Sequence, residues 1–332
     1  MSSALHSTFT SVLTSIPSPP SNGFDIGTVP IRYYALCIIA GIIAATFITN
    51  HRLTRRGAEK WVVIDIAILA VPLAIIGARI FHVLTHPNFY FGPGRNTWNP
   101  FEPGSVWAIW EGGIAIFGAL LGGAVGAWLG CRWTGIRFWT FADALAPGLL
   151  LAQAMGRFGN WFNHELFGLP TDLPWGLEIE SSNPAFPPGL PEGTLFHPTF
   201  LYEVVWNGLG VLVLLWLGRT MRLQWGKLFA IYLIWYGAGR IVWESIRIDP
   251  SEVILGLRSN VWAAIIGVIV GIVILIVQTR RHTGVEPSPY MVGRERADAV
   301  VQSQDDSNDY VDLSEPPADE IDAEAPATST AS

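Results

Sequence analysis

The sequence predicts an all-α, polytopic membrane protein with about seven transmembrane helices, its N-terminus outside and its C-terminus in the cytoplasm. Three observations carry that expectation. Half of the 332 residues are hydrophobic and only 14% are charged, which is more apolar surface than a soluble core conceals. The apolar residues gather into stretches of about 20, the length at which a helix rising ~1.5 Å per residue crosses a ~30 Å hydrocarbon core. The Lys and Arg residues gather on alternate connections, which sets a direction.

In chain order the candidate spans cover 31–50, 61–84, 107–130, 140–158, 200–218, 228–246 and 261–279. The last is the most uniform, since Val261 to Val277 holds no charged residue and Arg280 and Arg281 close it. The fourth is the least uniform, with Asp143, Pro147 and Arg157 inside it. If the N-terminus is outside, Arg52, Arg55, Arg56, Lys60, Arg132, Arg137, Arg219, Arg222, Lys227, Arg280, Arg281, Arg294 and Arg296 fall on the cytoplasmic side. Only Arg95, Arg247 and Arg258 then fall outside, the asymmetry that orients membrane proteins.

Three segments flank or interrupt the 31–281 membrane domain. Residues 1–30 have no Lys or Arg until the span begins and no apolar run of signal-peptide length, so they read as an external N-terminal arm. Residues from about 159 to 199 read as an external loop or small cap, where a docking surface for a peptide and a plain linker are both open. Residues 282–332 read as a disordered, acidic cytoplasmic tail. Asp298, Asp305, Asp306, Asp309, Asp312, Glu315, Asp319, Glu320, Asp322 and Glu324 lie in residues 297–332, which hold no Lys or Arg, so the formal net charge of −7 belongs to the tail and the body is slightly basic. That balance excludes a basic nucleic-acid binder. Cys37 and Cys131 fall on different spans at different depths, so neither a disulfide nor a metal site is expected. No cofactor is expected either.

Four arginines remain inside the spans: Arg32, Arg79, Arg157 and Arg240. A guanidinium in the bilayer costs at least ~2.5 kcal/mol on insertion scales, so such a residue faces a partner, a cavity or a polar ligand. Arg32, at the mouth of its helix, has room to snorkel to the interface. For Arg79, snorkelling and structural pairing are both open. Arg157 lies in Gly156-Arg157-Phe158-Gly159-Asn160-Trp161-Phe162-Asn163-His164-Glu165, a polar cluster at a helix end. Tyr236, Arg240 and Glu244 follow at i, i+4 and i+8 and share one helix face, either as a packing pair or as part of a site. Arg240 is 13 residues past Lys227, about 20 Å above the inner surface. With Tyr34 entering from outside, all three elements converge on the outer half of the membrane. Two guanidiniums there suit a phosphate, which a planar fork binds at two points.

The run from Gly156 through Glu165 to Leu166-Phe167-Gly168 resembles the signature of the prolipoprotein diacylglyceryl transferases. The resemblance extends to Tyr33-Tyr34, Gly77-Ala78-Arg79-Ile80, Trp110-Glu111-Gly112-Gly113, Asp143, His197-Pro198-Thr199-Phe200-Leu201-Tyr202-Glu203 and Tyr236 to Glu244, in order. It implies transfer of a diacylglyceryl group from phosphatidylglycerol to the lipobox cysteine thiol of a prolipoprotein signal peptide, forming a thioether and releasing glycerol phosphate. It also implies a bacterial cell membrane location, with membrane lipids as surroundings. On the resemblance, Arg157 binds the phosphatidylglycerol head group and Arg240 is a second essential arginine. Tyr34, Asn160, Asn163, Glu165, Gly168, Glu203, Tyr236 and Glu244 are the matching binding positions.

One position departs from the pattern. Phe117 stands where many members of that family have a histidine proposed to take the thiol proton. A phenyl ring accepts no proton, so His197 becomes the candidate base, with Glu165 and Glu244 behind it. A transporter or channel for an anion is the competing reading of intramembrane arginines. The absence of an internal repeat and the one-sided gathering of polar groups count against it.

Overall fold

The computed structural model describes residues 15–92 and 97–294. A hairpin of β1 (Gly23–Ile26) and β2 (Val29–Arg32) leads directly into α1 (Tyr33–Arg55). The helices α2 (Val62–Thr85), the short α3 (Pro87–Tyr90), α4 (Ile116–Thr134) and α5 (Phe138–Phe162) follow. A folded loop with the two-residue strands β3 (Leu177–Glu178) and β4 (Leu195–Phe196) precedes α6 (Thr199–Thr220) and α7 (Lys227–Ser245). A hairpin of β5 (Val253–Ile254) and β6 (Leu257–Arg258) turns the chain into α8 (Ser259–Arg281).

Five of these helices, α1, α2, α4, α6 and α8, are long and apolar enough to cross a membrane. The chain is therefore a polytopic membrane protein. Helices α5 and α7 are of similar length but carry Asp143 and Arg157, or Arg240 and Glu244.

The third expected span begins nearer the C-terminus than the apolar pattern suggested. Gly112 and Gly113 have φ of 94° and 70°, a region that L side chains avoid, so residues 109–111 form a single 3-10 turn and α4 starts only at Ile116. Arg79 holds this entry in place. It is 8% exposed and donates through Nε to the Val106 carbonyl at 2.8 Å, through Nη1 to Gly112 at 2.7 Å and through Nη2 to Ser105 at 2.6 Å. Its guanidinium is thus satisfied by backbone oxygens and does not snorkel. Arg32, by contrast, reaches Asn22 Oδ1 at 2.6 Å in an exposed position.

Lipid tails are as apolar as leucine, so helices in a membrane associate through close packing rather than burial from water. Here small residues supply that packing. Gly118, Gly122, Gly126 and Gly130 form one stripe of α4 that meets the backbone of α2 at Gly77, Leu73, Leu69 and Ile66. Gly41 and Gly148 bring α1 and α5 together against Ala152 and Ala45, and Gly237 and Gly271 do the same for α7 and α8. These antiparallel pairs place the starts of α1, α4, α6 and α8 and the ends of α2, α5 and α7 at one end of the bundle.

At the opposite end, buried Asp143 accepts from the Gly226 and Phe229 amides at 2.8 and 2.9 Å, a carboxylate placed against the N-terminus of α7. The segment after α8 packs there as well. Glu286 accepts from Thr140 Oγ1 at 2.6 Å and from the Trp225 amide at 2.8 Å, and Tyr290 is 2% exposed with its carbonyl 2.6 Å from Arg137 Nε. Residues 283–294, which the sequence places in a disordered tail, are thus packed against the helix ends. Polar partners on three helix ends and a pocket for one tyrosine hold residues 283–294, while residues 295–332 lie outside the described part, as do residues 1–14 of the expected arm.

Candidate active site

The chain leaves α5 through two left-handed residues, His164 (φ 50°) and Leu166 (φ 61°), conformations that a non-glycine residue holds only when its surroundings fix it. The turn folds Glu165 back on the helix it has just left. Glu165 Oε1 accepts from Asn160 Nδ2 at 2.8 Å and from Asn163 Nδ2 at 3.2 Å, and Asn160 Oδ1 in turn accepts from Arg157 Nη1 at 3.1 Å. A line of hydrogen bonds thus orients one face of the Arg157 guanidinium. His164 serves the turn itself, with its ring nitrogens 2.9 Å from Glu180 Oε2 and 2.8 Å from the Pro19 carbonyl.

The other face of Arg157 meets α6. Arg157 Nε lies 2.7 Å from Glu203 Oε2, and the second oxygen of that carboxylate lies 3.4 Å from Arg240 Nη1 on α7. Arg240 Nη2 reaches Glu244 Oε2 at 2.8 Å. Glu203 is 4% exposed, whereas the Arg157 and Arg240 side chains keep 16% and 15% of their surface. Two guanidiniums are therefore held together by one buried anion and still open to a ligand. Repulsion between like charges so placed is offset by that shared carboxylate.

Glu244 is fully buried and carries more than the expected i, i+4 pair. Besides Arg240 it takes Arg247 Nη1 at 3.2 Å, Arg258 Nε at 2.9 Å and Asn260 Nδ2 at 3.0 Å. Asp249 closes the network, 2.7 Å from Arg247 Nε and 2.9 Å from Arg258 Nη2. Burial alone would push the Asp249 carboxyl up, but the hydrogen bond and charge of Arg247, with Arg258 beside it, hold it below the usual carboxylate range. The same pairing raises Arg247 against its own desolvation.

Glycines set the remaining approaches. The Tyr34 ring lies against Gly159, where a Cβ would overlap it. At Gly168 a Cβ would come within 2.9 Å of His197 Cβ and 3.1 Å of the Ile246 carbonyl. Gly168 is in this way stapled between the start of α6 and the loop after α7, its amide donating to the His197 carbonyl at 3.0 Å.

His197 stands at the foot of α6 with Nδ1 3.0 Å from the Tyr202 hydroxyl, which also accepts from Trp175 Nε1 at 3.1 Å. Tyr202 packs on Trp243 at 5.4 Å between centroids. Beside it Trp175, Val205, Trp206 and Trp243 line an apolar groove of about 370 Å³. Tyr236 lies one turn before Arg240 and stacks on Tyr232 at 6.1 Å. Phe117 is in contact with Phe81 instead, 6.0 Å between centroids.

Arg157, Asn160, Asn163, Glu165, Glu203, Arg240 and Glu244 are thus brought into one network, with Tyr34, Gly168 and His197 around it. Arg247, Asp249, Arg258, Asn260 and Tyr202 were not picked out from the sequence. Arg247 had a usable signal at i+3 from Glu244. Arg258 and Asn260 had none, because only the β5–β6 hairpin returns them to α7.

The loop from 163 to 198 is folded over this network. Phe167, Leu177, Ile179 and Phe196 form an apolar core with Phe200 of α6, and Ile16 joins it by pairing with Leu177.

Fold and site together define a polytopic membrane protein with a buried, two-arginine polar centre among its helices. The family model of prolipoprotein diacylglyceryl transferase matches residues 22–277. The chain belongs to that family. A phosphatidylglycerol–prolipoprotein diacylglyceryl transferase of Leifsonia xyli subsp. xyli is 64% identical over 288 residues, 85% of this chain and 86% of the relative. Relatives of the same name from Paenarthrobacter aurescens and Streptomyces coelicolor (its enzyme 2) are 48% and 44% identical, covering 75% and 82% of this chain and 79% and 84% of their own lengths.

Proposed function

We propose that this protein transfers the diacylglyceryl group of phosphatidylglycerol to the lipobox cysteine of prolipoprotein signal peptides. The observation that carries the reading is the pair Arg157 and Arg240, joined by Glu203 and partly exposed. The arrangement suits a phosphodiester anion, which two fixed guanidiniums hold and whose developing charge they stabilise in a low-dielectric site. The cysteine sulfur bonds to the glyceryl carbon as the carbon–oxygen bond to phosphate breaks. The electron pair leaves with glycerol phosphate.

His197 takes the thiol proton in this reading. A thiol has an ordinary pKa of ~8.5 and attacks only as thiolate, so a nearby base or positive field is needed. Asn160, Asn163 and Glu165 hold Arg157 in register, and Glu244 holds Arg240. Tyr34, Tyr236 and Gly168 shape the entrance, and Glu203 acts as the counter-ion that the lipid phosphate partly relieves. The apolar groove beside Tyr202 suits an acyl chain.

The reading includes seven spans, the N-terminus outside and the C-terminus in the cytoplasm, supported by the thirteen basic residues that the sequence places on one side. The site then lies in the outer half of the cell membrane, where a translocated signal peptide delivers its cysteine. Residues 15–32 and the 163–198 loop become its external cover. The test is to mix purified protein with phosphatidylglycerol and a lipobox peptide and to weigh the peptide by mass spectrometry. A diacylglyceryl mass gain on cysteine is expected. No gain, under conditions where the Leifsonia relative works, overturns the assignment. An anion transporter would instead move anions across sealed vesicles and leave the peptide unchanged.

A further inference from the structure

A second cavity, of about 420 Å³, lies at the opposite end of the bundle between α1 and α6. His51, Arg52, Arg55 and Arg219 line it together with Phe47, Ile48 and Leu215. Gly218 faces the Arg52 guanidinium, where a Cβ would meet Nη2 at 3.4 Å. The polar residues stand at the last turns of both helices, the depth at which lipid phosphates lie. The apolar residues stand one turn deeper, with Phe47 56% exposed toward the hydrocarbon. None of these residues belongs to the Arg157–Arg240 centre.

We infer that this cavity binds one anionic phospholipid of the adjoining leaflet, its phosphate on Arg52, Arg55 and Arg219 and an acyl chain along Phe47, Ile48 and Leu215. Charge alone would suit a free phosphate or an acidic peptide. The apolar wall running from the arginines into the bilayer selects a molecule with both a charged head and an aliphatic tail. Assigning the leaflet to the cytoplasmic side rests on the orientation proposed above, and the binding itself does not.

The test uses the full chain carrying Arg157→Ala, so that the transferase centre does not report. Lipids retained by the purified protein are counted by native mass spectrometry after incubation with dioleoylphosphatidylserine or dioleoylphosphatidylcholine. One phosphatidylserine per chain is expected. Retention should fall at least tenfold in an added Arg52→Gln, Arg55→Gln, Arg219→Gln triple variant, and phosphatidylcholine should not be retained. The triple substitution in an otherwise wild-type chain should keep transfer activity, which controls for folding, and exposed Arg219→Glu alone repeats the test at one position. Equal retention by the variants, equal retention of phosphatidylcholine, or full displacement by an equimolar amount of glycerol phosphate overturns the proposal. So does retention that appears only after residues 297–332 are removed, because the acidic tail would then be the occupant.

Discussion

Arg157 of α5 and Arg240 of α7 share a single carboxylate, Glu203 of α6, whose two oxygens lie 2.7 and 3.4 Å from them. Three helices thereby meet at one buried charge. Removing one partner of such a set costs more than the pair contributes, because the remaining charges stay buried.

Glu203→Gln should therefore leave Arg157 without its carboxylate and Arg240 with Glu244 alone, the two guanidiniums repelling each other. Transfer, measured as kcat/KM, should fall at least a hundredfold while the protein still inserts. Arg157→Ala and Arg240→Ala should abolish turnover, and near-normal rates in either would remove that residue from the reaction.

For the base, His197→Phe should slow the chemical step severely between pH 6 and 9, with KM for phosphatidylglycerol little changed. Tyr202→Phe removes the hydroxyl beside Nδ1 and should shift the pH profile of kcat more than its maximum. Wild-type profiles in both variants would return the role to Glu165 or Glu244.

The Asp249 carboxyl lies below the usual carboxylate range in the folded protein, so the unfolded chain takes up its proton first. The stability it confers is complete above the ordinary aspartate value of about 4 and is lost as pH falls through that value toward the depressed one. Unfolding temperature in detergent should drop on acidification, and Asp249→Asn should flatten that dependence. An unchanged slope in the variant would show that Asp249 does not contribute.

Gly122 has no room for a side chain, since a Cβ there would overlap the Leu73 carbonyl of α2. Gly122→Leu should push α2 and α4 apart at a cost of about 1–3 kcal/mol, read as a lower unfolding temperature. Gly208, with open space around it, should tolerate alanine without such a loss.

Truncation after Arg294 should preserve folding, whereas truncation after His282 removes Glu286 and Tyr290. The shorter chain should unfold earlier, because Thr140, the Trp225 amide and the Arg137 side chain lose their partners. Equal stability of the two chains, read by thermal unfolding, would refute a role for this segment.

What the sequence determined by itself follows from local physics. Apolar length fixed where the long helices run, because each ~20-residue stretch satisfies its own backbone wherever its neighbours lie. The cost of burying a guanidinium singled out Arg157 and Arg240. The i, i+4 geometry joined Arg240 to Glu244, and Gly156 to Gly168 stood out as a polar helix end. The tertiary structure alone decided the rest. Arg79 stood in the sequence open to both snorkelling and structural pairing, and the backbone carbonyls of Ser105, Val106, Gly112 and Gly113 satisfy it, partners that nothing local to Arg79 reveals. Glu203 looked like one more binding residue until α6 packed between α5 and α7 and made it the shared anion. Arg247 and Arg258 counted only as loop charges until the β5–β6 hairpin folded them onto Glu244. Each of these depends on partners distant in the chain, and a charge in a membrane takes its meaning from the group that neutralises it.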